Sequence, residues 1–170
     1  GSCRTQKRPT SGISCGGRRS FPPRVSTRRA TASCLGADIT VDSRNEDLET
    51  VVKDATNGHG ADVAVIAIGR PELLAQAIGL VRKGGYVCAF AGFPKGSTAA
   101  VDPNTIHYGE ITLVGAANAK RRQTEEALRL IENRLIPAET IVSHTFPLQQ
   151  AAEAIEFSAS GEGIKIAVVP

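Results

Sequence analysis

Residues 61–68 read ADVAVIAI, an almost unbroken apolar run in which Val and Ile are prominent. A strand with one wet face alternates apolar and polar residues, whereas a parallel strand covered by helices on both faces has no reason to. The run is therefore predicted to be a buried central strand. Asn57-Gly58-His59-Gly60 breaks the chain before it, and Gly69 ends it. Residues 46–56 ahead of that break predict a helix with Leu48, Val51, Val52 and Ala55 on one face, and residues 37–42 (ADITVD) predict a short strand. Beyond Gly69, Pro71 opens a helix at its favoured first position, with Leu73, Leu74, Ala77, Leu80 and Val81 as its stripe. Gly84-Gly85 is expected to stop it.

The alternation continues. Residues 86–91 and 110–115 predict two more strands, Asp102-Pro103-Asn104 starts a turn of helix between them, and residues 121–135 predict an amphipathic helix with Ala127, Leu128, Ile131 and Leu135 inward. Strands and helices at this spacing imply right-handed parallel crossovers and an α/β, Rossmann-like doubly wound parallel sheet. Residues 140–145, 148–158 and 164–169 read as a separate strand, helix and strand that close the chain.

Composition agrees. With 41% hydrophobic residues, 22% charged and only 4% aromatic, the core must be built from Ala, Val, Ile and Leu. No apolar run approaches the roughly 18 residues of a membrane span. No Met occurs in the 170 residues, so the chain is expected to be a fragment or a processed product. The net charge of +3 hides a division: residues 1–34 carry eight basic side chains and no acid, leaving the remainder mildly acidic. A nucleic-acid partner is therefore not expected of the body, which has no basic face. Residues 1–34, rich in Arg, Ser, Pro and Thr without helical or alternating period, read as disordered. A transit peptide, a basic nucleic-acid tail and an out-of-frame reading of a GC-rich gene all account for them, and the last is preferred. Cys3, Cys15 and Cys34 have neither C-x-x-C nor zinc-ribbon spacing, and Cys88 lies in an apolar run.

In doubly wound sheets the ligand lies beyond the carboxyl ends of the strands. The candidate binding loops are thus Ala67-Ile68-Gly69, Ala91-Gly92-Phe93 and Ala116-Ala117-Asn118. Small residues there let a flat ring and its carboxamide approach the backbone; equally, the glycines could merely turn the chain. No Ser or Cys nucleophile and no carboxylate pair is arranged with His59, His107 or His144, so no catalytic residue and no metal ligand is assigned.

The order of segments LGADITVD (35–42), GHGADVAVIAIG (58–69), LVRKGGYVCAFAGFP (80–94), DPNTIHYGEITLVG (102–115) and HTFPLQQAAEAIEFSASGEGIKIAVV (144–169) resembles the C-terminal half of the medium-chain dehydrogenase/reductase family, nearest to zinc-dependent alcohol, polyol and threonine dehydrogenases. The resemblance implies a partial nicotinamide-binding Rossmann domain over 35–137, truncated at its N-terminal crossover, and a segment, 138–170, that returns to the catalytic domain. It implies NAD or NADP as cofactor, a small alcohol or polyol as substrate of the intact enzyme, and a cytoplasmic location. It also implies that the three loops line the nicotinamide and its ribose. The sequence departs from the family too: no G-x-G-x-x-G turn for the pyrophosphate occurs, and the zinc ligands of the full-length family lie upstream, so the isolated chain is expected to be inactive. A non-catalytic Rossmann-like binding or oligomerisation module is the alternative. Family members dimerise through the last Rossmann strand, which predicts a homo-oligomer through the Ile111 to Gly115 edge.

Overall fold

The computed structural model describes residues 24–170. They fall into two compact units, one of residues 41–129 and one that joins residues up to 40 with residues 130–170.

The first unit holds a three-stranded parallel sheet in the order β1 (Ala61–Ile66), β2 (Val81–Ala89), β3 (Thr112–Gly115). The register runs Ala64, Val87, Leu113 and Ile66, Ala89, Gly115 across one face, and Val63, Tyr86, Thr112 and Val65, Cys88, Val114 across the other. Helix α3 (Glu72–Leu80) packs on β1 and β2, and α4 (Pro103–Gly109) packs on β2. Ile66, Ala77, Ile78, Val81 and Val87 form the core between them, with Val87 fully buried. Helix α2 (Leu48–Ala55) begins at Asp47, whose carboxylate accepts from the Thr50 N–H at 2.9 Å and the Thr50 hydroxyl at 2.6 Å. The amide groups at a helix start have no intrahelical acceptor, and this side chain supplies one. The break after α2 is as the sequence demands: Asn57, Gly58 and Gly60 all have positive φ.

Several expectations are corrected. Among the described residues β1 is covered on one face only, and Val63 and Val65 are 56% and 59% exposed. Both helices that pack on the sheet lie against the Val87 side. Residues 37–42 form no strand and pair with none of the described strands. Asp42 instead organises a turn, accepting from the Asn45 and Glu46 N–H groups at 2.9 Å through its carbonyl. Gly84 and Gly85 do not stop α3, which ends at Leu80 as Val81 turns extended. They lie within β2 as an irregularity opposite Ala61–Val63, where Gly84 takes a φ of 71°. The stripe of α5 (Arg121–Glu132) is not inward: Leu128 and Ile131 are exposed, as is Leu135 just beyond the helix. Its period states a demand for burial that the described residues do not meet.

In the second unit, helix α1 (Arg24–Cys34) occupies a stretch read as lacking regular structure; the rest of that stretch, residues 1–23, lies outside the described residues. Its apolar positions carry no stripe, so the helical period was invisible there. Arg28 Nη2 donates to the Gly163 carbonyl at 3.4 Å. Short helix α6 (Ala138–Ile141) takes the start of the region read as strand, and the strand proper, β4 (Val142–Pro147), pairs in parallel with β5 (Lys165–Val169). Between them, after a 3-10 turn over Leu148–Gln150, α7 (Ala151–Ser160) buries Ala154 and sets Phe157 against the rings of His144 and Phe146. Ser143 Oγ accepts from the Ile164 N–H at 2.9 Å, tying the loop before β5 to β4.

Candidate functional site

The three loops flagged in the sequence follow β1, β2 and β3, which run side by side in one direction. Backbone bonds join their roots: the Ala91 N–H donates to the Ile66 carbonyl at 2.9 Å, and the Ala116 N–H donates to the Ala89 carbonyl at 3.1 Å. The sheet pairing thereby continues past the ends of β2 and β3. Gly69 lies directly on the backbone of Gly92, with no room for a Cβ between them. Gly92 and Gly115 themselves face open space. A Cβ at either position would touch no other residue. Phe93 packs back against the core and anchors the second loop. Asn118 takes a φ of 58°, a turn that Asn tolerates better than branched residues. Ala67, Ile68, Ala116, Ala117 and Asn118 are exposed, so the site is an open platform and not a closed cavity.

At its rim stands Arg70, which sequence reasoning passed over because Arg-Pro-Glu reads as a helix start. Its Nε and Nη2 donate to Glu72 Oε1 at 2.8 and 2.5 Å. The Glu72 backbone N–H, and then Arg70, hold the Glu72 carboxyl below the usual carboxylate range. Both groups are exposed, so the pair orients the guanidinium without adding much stability.

A more enclosed hollow of about 50 Å³ lies at the other end of β1, lined in part by Glu49, Lys53, His59 and Gly60. It is concave, yet it lies at the amino ends of the strands and is small even for a single ring, so strand direction outweighs concavity. His107 stacks edge-on to Tyr108 at 4.8 Å between ring centres, and His144 touches Ser143 Oγ at 3.0 Å. Neither histidine is on the platform loops.

Residues 24–133 match the model of the family described as zinc-binding dehydrogenase. The chain belongs to that family. Among its relatives, the erythritol/L-threitol dehydrogenase of Mycolicibacterium smegmatis is 31% identical over 82% of this chain and 38% of its own length. The sorbitol dehydrogenase of Halalkalibacterium halodurans is 29% identical over 84% of this chain and 41% of its own. A Sinorhizobium meliloti 1021 protein solved with bound NADP superposes with a TM-score of 0.79 at 25% identity, covering 87% of this chain and 44% of that one. The chain thus spans about two fifths of the relatives it matches. The family match runs through α1, ahead of the point where the sequence alone begins to resemble a dehydrogenase.

The two groups that a zinc-binding dehydrogenase implies fare differently here. Among the described residues no three His, Cys, Asp or Glu side chains are grouped to hold a metal. Zinc therefore does not fit them. For a nicotinamide ring the loops offer two glycines, Gly92 and Gly115, with open space where a Cβ would stand. A pyrophosphate does not fit, because the sequence has no G-x-G-x-x-G turn to present helix N–H groups to it. No helix of the described residues is long and apolar enough to cross a membrane.

Proposed function

We propose that this chain forms the nicotinamide-contacting portion of an NAD(P)-dependent alcohol or polyol dehydrogenase, with Ala67, Ile68, Gly69, Ala91, Gly92, Phe93, Ala116, Ala117 and Asn118 as the contacts. The observation that carries the reading is the set of three loops leaving parallel strands side by side, with open space in front of Gly92 and Gly115. A bound nicotinamide would exchange a hydride with the carbinol carbon of a secondary alcohol. The chain's own part is to hold the ring: backbone groups of the loops orient the carboxamide, and the absence of side chains at the two glycines sets how closely the ring approaches. The alcohol or polyol class is supported by what the relatives are named for.

The same reading says that the 170-residue chain does not turn over, since it offers no ligands for zinc among its described residues and no pyrophosphate turn. Titration by calorimetry tests it. Reduced nicotinamide mononucleotide is expected to bind weakly, and ADP-ribose not at all, because the contacts present serve one end of the dinucleotide. ADP-ribose binding without nicotinamide binding would overturn the assignment of these loops.

A further inference from the structure

We propose that Asn57 is a modification site, at which the chain converts its own side-chain amide to aspartate and isoaspartate through a cyclic imide, and that the turn closing α2 governs the rate. This chemistry needs no cofactor and stands apart from the nicotinamide reading. Asn57-Gly58 is the one Asn-Gly pair in the 170 residues. Both residues are exposed and take positive φ, 53° and 82°. Across them the His59 N–H donates to the Thr56 carbonyl at 3.1 Å, giving the tight turn that Asn-Gly favours. Asparagine is chemically labile because its side-chain carbonyl carbon lies within reach of the next backbone nitrogen, and a following glycine has no Cβ to obstruct the approach. The Gly58 nitrogen attacks Cγ of Asn57, the Cγ–Nδ2 bond breaks, and ammonia leaves with the proton that Gly58 gives up. Water then opens the imide at either carbonyl. Cleavage between Gly58 N and Cγ gives aspartate; cleavage between Gly58 N and the Asn57 main-chain carbonyl gives isoaspartate, whose main chain runs through Cβ and Cγ.

In the folded chain the attacking nitrogen is engaged. The Gly58 N–H donates to the Lys53 carbonyl at 2.7 Å. The Thr56 hydroxyl donates to the Val52 carbonyl at 2.7 Å and accepts from the Gly60 N–H at 2.9 Å, so both sides of the turn are tied to the end of α2. The nitrogen is freed only when that end opens, and local opening therefore sets the rate. The isoaspartate product cannot restore the native turn, because its main chain is longer by one carbon. Gly60 leaves no room to absorb the added length: it packs so closely on the backbone of Leu80 and Arg82 that a Cβ there would lie 2.9 Å from each. The length is taken up by α2 instead, and the new carboxylate stands at that helix's carboxyl end, where negative charge is unfavourable.

The intact 170-residue chain is to be incubated at mildly alkaline pH, folded or in urea, and mapped by peptide mass spectrometry with electron-transfer fragmentation, which separates isoaspartate from aspartate. The expected result is that Asn57 converts ahead of Asn45, Asn104, Asn118 and Asn133, gives both products, and reacts severalfold faster in urea than in the folded chain. Thr56→Ala removes the ties without touching the reacting pair. It is expected to raise the rate in the folded chain and leave the rate in urea unchanged; the comparison of folded and urea-treated parent tests the restraint without any variant. The isolated isoaspartate form is expected to lose amide hydrogen-exchange protection in α2 and to keep it in β2. Another asparagine converting first, or no isoaspartate at position 57, overturns the site. Equal rates in the folded chain and in urea, or a folded Thr56→Ala chain that reacts no faster than the parent, overturn the control by the turn, and unchanged exchange across α2 overturns the stated effect on the helix.

Discussion

Gly69 and Gly92 meet backbone to backbone, so closely that a Cβ on Gly69 would fall inside the carbonyl oxygen of Gly92. Their contact locks the loop after β1 to the loop after β2, while the far side of Gly92 stays open. The two glycines thus have different tasks, and substitution separates them.

Gly69→Ala must push the loops apart, since the obstructing atom is backbone and not the end of a flexible side chain. A loss of about 1–3 kcal/mol in chemical denaturation is expected, together with weaker binding of nicotinamide mononucleotide.

Gly92→Val meets no protein atom at its Cβ. Its denaturation midpoint should stay within about 0.5 kcal/mol of the parent, yet its nicotinamide binding should be lost. Unchanged binding in a folded Gly92→Val chain would place the ring elsewhere.

The two faces of the sheet predict opposite outcomes for the same chemical change. Val87→Ala empties a fully buried position and should cost roughly 2 kcal/mol. Val65→Ala, on the bare face, should cost less than about 0.5 kcal/mol. Equal losses would mean that both faces are covered.

Asp47 gives a pH dependence with a definite sign. The Thr50 hydroxyl, then the Thr50 N–H, hold its carboxyl below the usual carboxylate range. A depressed folded pKa contributes stability that is present above the unfolded value and lost as pH falls through the folded one. The difference in unfolding temperature between the parent and Asp47→Ala should therefore be full at neutral pH and shrink once pH falls below about 4. A difference constant down to strongly acid pH would show that the cap does not act through its charge.

Much of the fold was legible. The unalternating run at 61–68 and the glycine breaks around it announced parallel strands, and the three candidate loops could be located at the strand ends from strand direction alone. What failed was whatever depended on a neighbour. Residues 37–42 have the branched composition of a strand but no described strand to pair with, and Val63 and Val65 have the composition of a core but no helix above them among the described residues. Local pattern records what a segment demands and not whether the demand is met. Gly84 misled for another reason: a left-handed glycine ends a helix or bends a strand, and only the register of β1 against β2 tells which. The Gly69–Gly92 contact joins residues 23 apart in the chain and carries no sequence signal beyond the glycines themselves.

The central claim is that the carboxyl-end loops of β1, β2 and β3 hold a nicotinamide. Backbone amide NMR of the labelled 170-residue chain, titrated with reduced nicotinamide mononucleotide, tests it most directly. The account predicts shift changes confined to residues 67–70, 91–93 and 115–118, with none at His59 or Gly60 beside the hollow at the other end of the strands. Shifts gathered around that hollow, or no localised change at saturating ligand, would contradict it.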